Sequence, residues 1–117
     1  MIDLQQQLAT NLQSVQQRIE AAALRSGRNS QDVQLIAVCK YVTSDITAAL
    51  VSAGCQQVGE NRPQQLWDKR EALSDLSIKW HMIGHLQRNK VQRTVKSLEM
   101  LHAGDSLRLL RAVHEAV

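Results

Sequence analysis

An α/β fold with a parallel sheet is predicted by three observations on this sequence. Short apolar segments alternate with helical stretches, each apolar segment ends in a glycine or polar turn, and the connections are short. The alternation gives four βα units after an N-terminal helix, with right-handed crossovers expected between strands. No linker or low-complexity tract interrupts residues 1–117, so one domain is expected.

Leu4, Leu8, Leu12, Val15 and Ile19 recur at helical spacing, and Ala22 and Ala23 continue the stripe. This is an amphipathic helix with Asp3 as its cap and Gly27 as its stop. Arg28-Asn29-Ser30-Gln31 links it to the apolar run Leu35-Ile36-Ala37-Val38-Cys39. A run so uniformly apolar predicts a strand buried on both faces. A second helix is expected from about Ser44, with Ile46, Ala49 and Leu50 inward and Ala53-Gly54 at its end.

The pattern then repeats. A short strand through Val58 ends at Gly59-Glu60-Asn61, and Pro63 starts a helix that reaches about Leu73, where its missing N–H costs nothing. A third strand, Ile78 to Ile83, leads through Gly84-His85-Leu86 into a basic helix from about Asn89 to Lys96. A fourth, near Met100-Leu101-His102, leads through Gly104-Asp105-Ser106 into a last helix filled by Leu107, Leu109, Leu110 and Val113.

Eight βα units close a barrel of about 250 residues, whereas four leave two strand edges and an inner apolar face uncovered. The sequence is therefore compatible with a small open doubly wound sheet or with half of a barrel. A half barrel needs completion by a second copy, by another chain or by further residues.

Composition narrows the function. Hydrophobic content of 44% with 21% charged residues is that of a globular chain. There is no Phe, and Tyr41, Trp67 and Trp80 are the only aromatics, which argues against single-stranded nucleic acid held on stacking platforms. The net charge of +3 suits an anionic small molecule as well as a polyanion. Cys39 and Cys55 are too few for a disulfide framework and read as reduced thiols of a cytoplasmic protein. The N-terminal residues lack the basic and apolar regions of a signal peptide, and no segment approaches the ~20 apolar residues of a membrane span.

Several residues compete for chemical roles. Lys40 directly follows the first apolar run; it is either an ordinary lysine where a strand meets water, or an amine whose desolvation favours the neutral form that attacks an aldehyde. Cys39 is a structural thiol or, beside Lys40, a reactive one. His81 and His85 have the spacing of a helical zinc site but straddle a strand end and a loop, so no metal is expected. His81 either lines a ligand mouth or is a satisfied structural histidine. Arg88, Lys90, Arg93 and Lys96 read as a solvated helix face, not a nucleic-acid module. Lys40, Glu60-Asn61, His81 and Asp105-Ser106 all fall at carboxyl ends of successive strands, where α/β folds place their sites. Lysine, amide and imidazole together suit an aldehyde cofactor better than a metal or a nucleotide.

Three blocks then carry a family resemblance: Leu35-Ile36-Ala37-Val38-Cys39-Lys40, Val58-Gly59-Glu60-Asn61-Arg62, and Lys79-Trp80-His81-Met82-Ile83-Gly84-His85-Leu86-Gln87-Arg88-Asn89-Lys90. In order and spacing they resemble the pyridoxal phosphate homeostasis proteins, over the N-terminal half of that family. The resemblance implies a TIM barrel like the N-terminal barrel of alanine racemases, here as about four βα units or half a barrel. It implies pyridoxal 5′-phosphate (PLP) as cofactor, a Schiff base on Lys40, and Asn61 and His81 near the cofactor. It implies a role in intracellular cofactor homeostasis with no catalytic residue assigned. The alternatives are a PLP-dependent racemase or decarboxylase, or a chain that has lost the cofactor. Cys39 stands where the family usually has Ser, and Pro63 and Gln65 where Val and Glu are common. The family's phosphate-cradling loops belong to its C-terminal half, outside the matched blocks. Expected partners are the cofactor and either a second copy or a complementary half barrel, with no nucleic acid and no membrane.

Overall fold

The computed structural model describes residues 3–117; Met1 and Ile2, with which the expected leaderless N-terminus begins, lie outside the described residues. Helix α1 spans Leu4–Arg25 and is followed by a 3-10 turn at Ser30–Asp32. The βα units are β1 (Ala37–Val38) with α2 (Ser44–Ser52), then β2 (Gln57–Glu60) with α3 (Pro63–Ala72). They continue with β3 (Lys79–Met82), a 3-10 turn at Arg88–Lys90 running into α4 (Val91–Val95), and β4 (Leu98–Leu101) with α5 (Leu107–Ala116).

All three strand pairings are parallel, and the order across the sheet is β1-β2-β3-β4. A doubly wound sheet reverses its strand order at a switch point, and this one does not. The order is that of consecutive strands in a barrel, which resolves the two architectures open at the level of sequence.

Local chemistry explains the element ends. Asp3 caps α1 by accepting from the Gln6 N–H at 2.7 Å. Arg25 is its last residue, and Gly27 takes φ 76° while the Arg28 N–H returns to the Ala23 carbonyl at 2.8 Å. That left-handed turn and returning bond form a Schellman cap, which glycine adopts at no steric cost. Thr43 caps α2, Pro63 opens α3, and Ser106 caps α5 by accepting from the Leu109 N–H.

The core lies on the helix side of the sheet. Cys39, Val58, Trp80 and Met82 point from the strands against Leu66 and Trp67 of α3. A second cluster joins Leu86, Val91 and Val95 to Leu109 and Ala116 of α5. Trp67 links the two layers: its indole N–H donates to Thr94 at 3.0 Å, and the Arg93 guanidinium lies 4.0 Å from its ring.

Three sequence expectations need correction. The first apolar run is not buried on both faces: the strand is only Ala37–Val38, and Val38 is 54% exposed. It is an edge strand whose inner face meets no layer, so only the helix-side residue Cys39 is sealed. The α1 stripe is likewise mostly open, with only Leu12 and Ala23 buried, because α1 packs chiefly on α2 and the following turn. Finally, β4 begins at Leu98, earlier than expected, and His102 follows it. Leu98 and Leu101 both pack into the helix-side core, a spacing of three that breaks strand alternation. A register shift opposite Trp80/His81 absorbs the extra residue, Glu99, and restores Met100 to the inner face.

Candidate functional site

The carboxyl ends of β1 and β2 sit side by side, because Ala37 pairs with Val58 and Val38 with Gly59. Each strand hands the chain to a polar loop there, and the two loops enclose a cavity of about 120 Å³ lined by Lys40, Tyr41, Asn61, Arg62 and Gln65. The structure thus brings together Lys40 and Asn61 of the residues expected from sequence. His81 is not among the lining residues.

Lys40 is half-buried and its ammonium lies 5.0 Å from the centre of the exposed Tyr41 ring. It is not sunk in a dry wall as the apolar run suggested, since β1 is an edge with an open inner face. Asn61 is exposed but lies close against Gly84: a Cβ there would collide with both its carbonyl oxygen and its side-chain oxygen. Gly84 therefore lets the loop after β3 approach the loop after β2, a reason for glycine that needs no unusual backbone angle.

Beneath Lys40, a buried cation organises both strand ends. Lys69 reaches from α3 and donates to Glu60 Oε2 at 2.5 Å and to the Cys39 carbonyl at 2.6 Å. Glu60 is fully buried, and its other carboxylate oxygen has no partner among the described residues. Burial raises the Glu60 carboxyl above its ordinary value, and the Lys69 hydrogen bond and charge pull it back. The Cys39 thiol is raised chiefly by burial, with a hydrogen bond from Thr47 and the Lys69 charge opposing. It therefore stays protonated at neutral pH and belongs to the core, the structural alternative for that thiol.

His81 lies one strand further along, on the inner face. Its Nε2 is 2.6 Å from Gln57 Oε1 and its Nδ1 is 3.0 Å from His102 Nε2. A carbonyl oxygen only accepts, so Nε2 carries the proton and Nδ1 accepts from His102. The ring is 1% exposed, and burial, reinforced by the neighbouring His102, lowers its pKa while Glu99 acts in the opposite sense. His85 makes a separate pair with Asp105 at 3.1 Å between the exposed loops after β3 and β4.

The donors around this cavity suit an anionic carbonyl compound. An amine on Lys40 can condense with an aldehyde, and the Arg62 guanidinium, Tyr41 phenol and Asn61 and Gln65 amides offer charge and hydrogen bonds to an anionic, polar ring. The cavity is smaller than the roughly 300–1,000 Å³ of most ligand pockets, so it accommodates one end of such a molecule.

Sequence reasoning missed Lys69, Gln57 and His102. Lys69 was legible in part: Glu60 lies two residues from Val58 and shares its core face, so a buried carboxylate there demanded a cationic partner. Gln57 and His102 needed the register of three strands, which no local pattern carries.

No family model matches the sequence. The chain is 34% identical over 124 residues to the pyridoxal phosphate homeostasis protein of Mycobacterium leprae, covering 98% of this chain and 48% of that protein. PipY of Synechococcus elongatus, solved with PLP bound, is similar at 35% identity and a TM-score of 0.71, covering 83% of this chain and 46% of that one. A protein of unknown function from Bifidobacterium adolescentis is 27% identical with a TM-score of 0.86, covering 98% of this chain and 52% of that one. The chain spans about half the length of the curated relatives it matches.

Proposed function

Because the chain belongs to the pyridoxal phosphate homeostasis protein family, matching it over half of the family's length, we propose that it binds PLP through Lys40 and serves intracellular homeostasis of that cofactor. The observation that carries this reading is the juxtaposition of Lys40 and Asn61 around one polar cavity at the carboxyl ends of β1 and β2. When bound, the cofactor would supply an aldehyde. Lys40 would hold it, since a lysine amine can condense with an aldehyde with loss of one water, which needs neither oxidant nor metal. Asn61 and Gln65 would orient the polar ring by hydrogen bonding, and Arg62 would balance anionic charge. His81, with both ring nitrogens already bonded to His102 and Gln57, would support the site from the neighbouring strand and not through a free ring nitrogen. Racemisation or decarboxylation is the alternative reading, and amino-acid racemisation that is lost in Lys40→Ala would favour it.

Among the described residues no helix is long and apolar enough to cross a membrane. We place the protein in the cytoplasm, which the buried, free thiols of Cys39 and Cys55 support. The uncovered inner face and the open β1 and β4 edges further support a partner made of four complementary βα units, which would bury the exposed Val38 and Met100.

Reductive trapping tests the reading. The chain is incubated with PLP, reduced with borohydride, digested and mapped by mass spectrometry. Selective labelling of Lys40, lost in Lys40→Ala, is expected. Labelling scattered over Lys79, Lys90 and Lys96 without preference for Lys40 would overturn it.

A further inference from the structure

Lys69 is buried, at 7% exposure, yet stands in the helix that packs behind the site. Its ammonium contacts two strand ends at once: the Cys39 carbonyl beyond β1 and the Glu60 carboxylate at the end of β2. The residues that follow these two are Lys40 and Asn61, the pair that lines the cavity. A buried ion pair is weak grounds for stability, since desolvating both charges offsets most of their attraction. A geometric role explains its presence better.

The linkage is short and stiff. The Cys39 carbonyl belongs to the planar peptide unit that contains the Lys40 nitrogen, so holding its oxygen holds the base of Lys40. The same oxygen also accepts from the Val42 N–H at 3.3 Å, and the Cys39 N–H donates to Gly59 at 2.9 Å. Because β1 is only two residues long, these bonds supplement a short ladder in anchoring the Lys40 loop. We propose that Lys69 is a positioning residue that fixes the spacing of Lys40 and Asn61 by bridging the Cys39 carbonyl to the Glu60 carboxylate. This deepens the PLP reading and rests on it for its consequence, though not for its geometry.

The test uses the paired neutral variant Lys69→Met/Glu60→Gln, which removes the bridge without stranding a buried charge. Circular dichroism should show the fold retained. Hydrogen exchange over residues 39–43 and 59–63 should accelerate about tenfold or more, the scale of a lost charged hydrogen bond, with residues 107–116 unchanged. The ratio of Lys40 to surface-lysine trapping by PLP should fall about tenfold, a selectivity that a purely structural role in a folded variant would leave alone. If the double variant does not fold, Lys69→Arg keeps the charge but alters the reach, and the same two readouts apply. Wild-type exchange in both loops of a folded variant would overturn the proposal. If the wild-type chain itself never labels Lys40, the PLP reading fails, while the exchange comparison still decides the positioning role.

Discussion

His102 Nε2 lies 3.0 Å from His81 Nδ1, so an exposed imidazole at the end of β4 fixes the tautomer of a buried one in β3. The contact depends on the β4 register shift, which returns the inner-facing alternation to Met100 and thus to His102. His81 is held neutral by burial first and by His102 second.

A pH dependence follows. The folded-state pKa of His81 lies below its ordinary 6.5, so the unfolded chain binds the extra proton more readily. Stability is therefore full above about pH 6.5 and falls as the pH drops below it toward the folded value. Thermal unfolding at pH 7.5 and 5.5 should show a larger loss in the wild type than in His81→Gln. An equal loss in both would show that His81 is not the group responsible.

Gly84→Ala should destabilise more than Gly59→Ala. A Cβ at Gly84 meets the backbone of Asn61, whereas at Gly59 it comes within 3.2 Å of the Ile36 and Ile83 methyl groups, which can yield by a few tenths of an ångström. The first is expected to cost about 1–3 kcal/mol, as for overpacking, and urea denaturation of the two variants measures the difference.

Lys40→Ala should leave stability nearly unchanged, within about 0.5 kcal/mol as for surface positions, because the side chain is half-buried and makes no side-chain hydrogen bond among the described residues. Loss of cofactor labelling with an unaltered urea midpoint separates a binding role from a folding one. A large stability loss would instead assign Lys40 to the framework.

Trp67→Phe keeps most of the buried ring but removes the indole N–H bond to Thr94 and weakens the Arg93 contact. A loss of about 1–2 kcal/mol is expected. The Thr94 hydroxyl also donates to the Lys90 carbonyl at 2.6 Å, so a double-mutant cycle with Thr94→Val separates the terms. A coupling near the full loss attributes the cost to the hydrogen bond and not to ring packing.

Val38 and Met100 are exposed on the face a barrel would enclose. Sedimentation velocity across a concentration series should show association of the chain, and Val38→Lys/Met100→Lys should weaken it. A concentration-independent monomer would exclude assembly through this face.

How much was legible in the sequence varied with the range of the interaction. The βα alternation, the Asp3 cap, the Pro63 start and the Lys40 and Asn61 positions rest on local patterns, and all four are found where those patterns put them. Boundaries slipped where a partner was missing or a register shifted. Leu35 and Ile36 read as strand but precede it, because an edge strand pairs on one side only. Leu98 was passed over because its spacing from Leu101 fits alternation only with a bulge. The Lys69 bridge spans residues far apart in sequence, and composition marks only its Glu60 end.

The strand order has a kinetic corollary. Every strand pairs with the one that precedes it in the chain, so each pairing is closed by a single helical crossover. Such a sheet keeps its contact order low for a parallel fold, because no strand pairing has to close a loop longer than one βα unit.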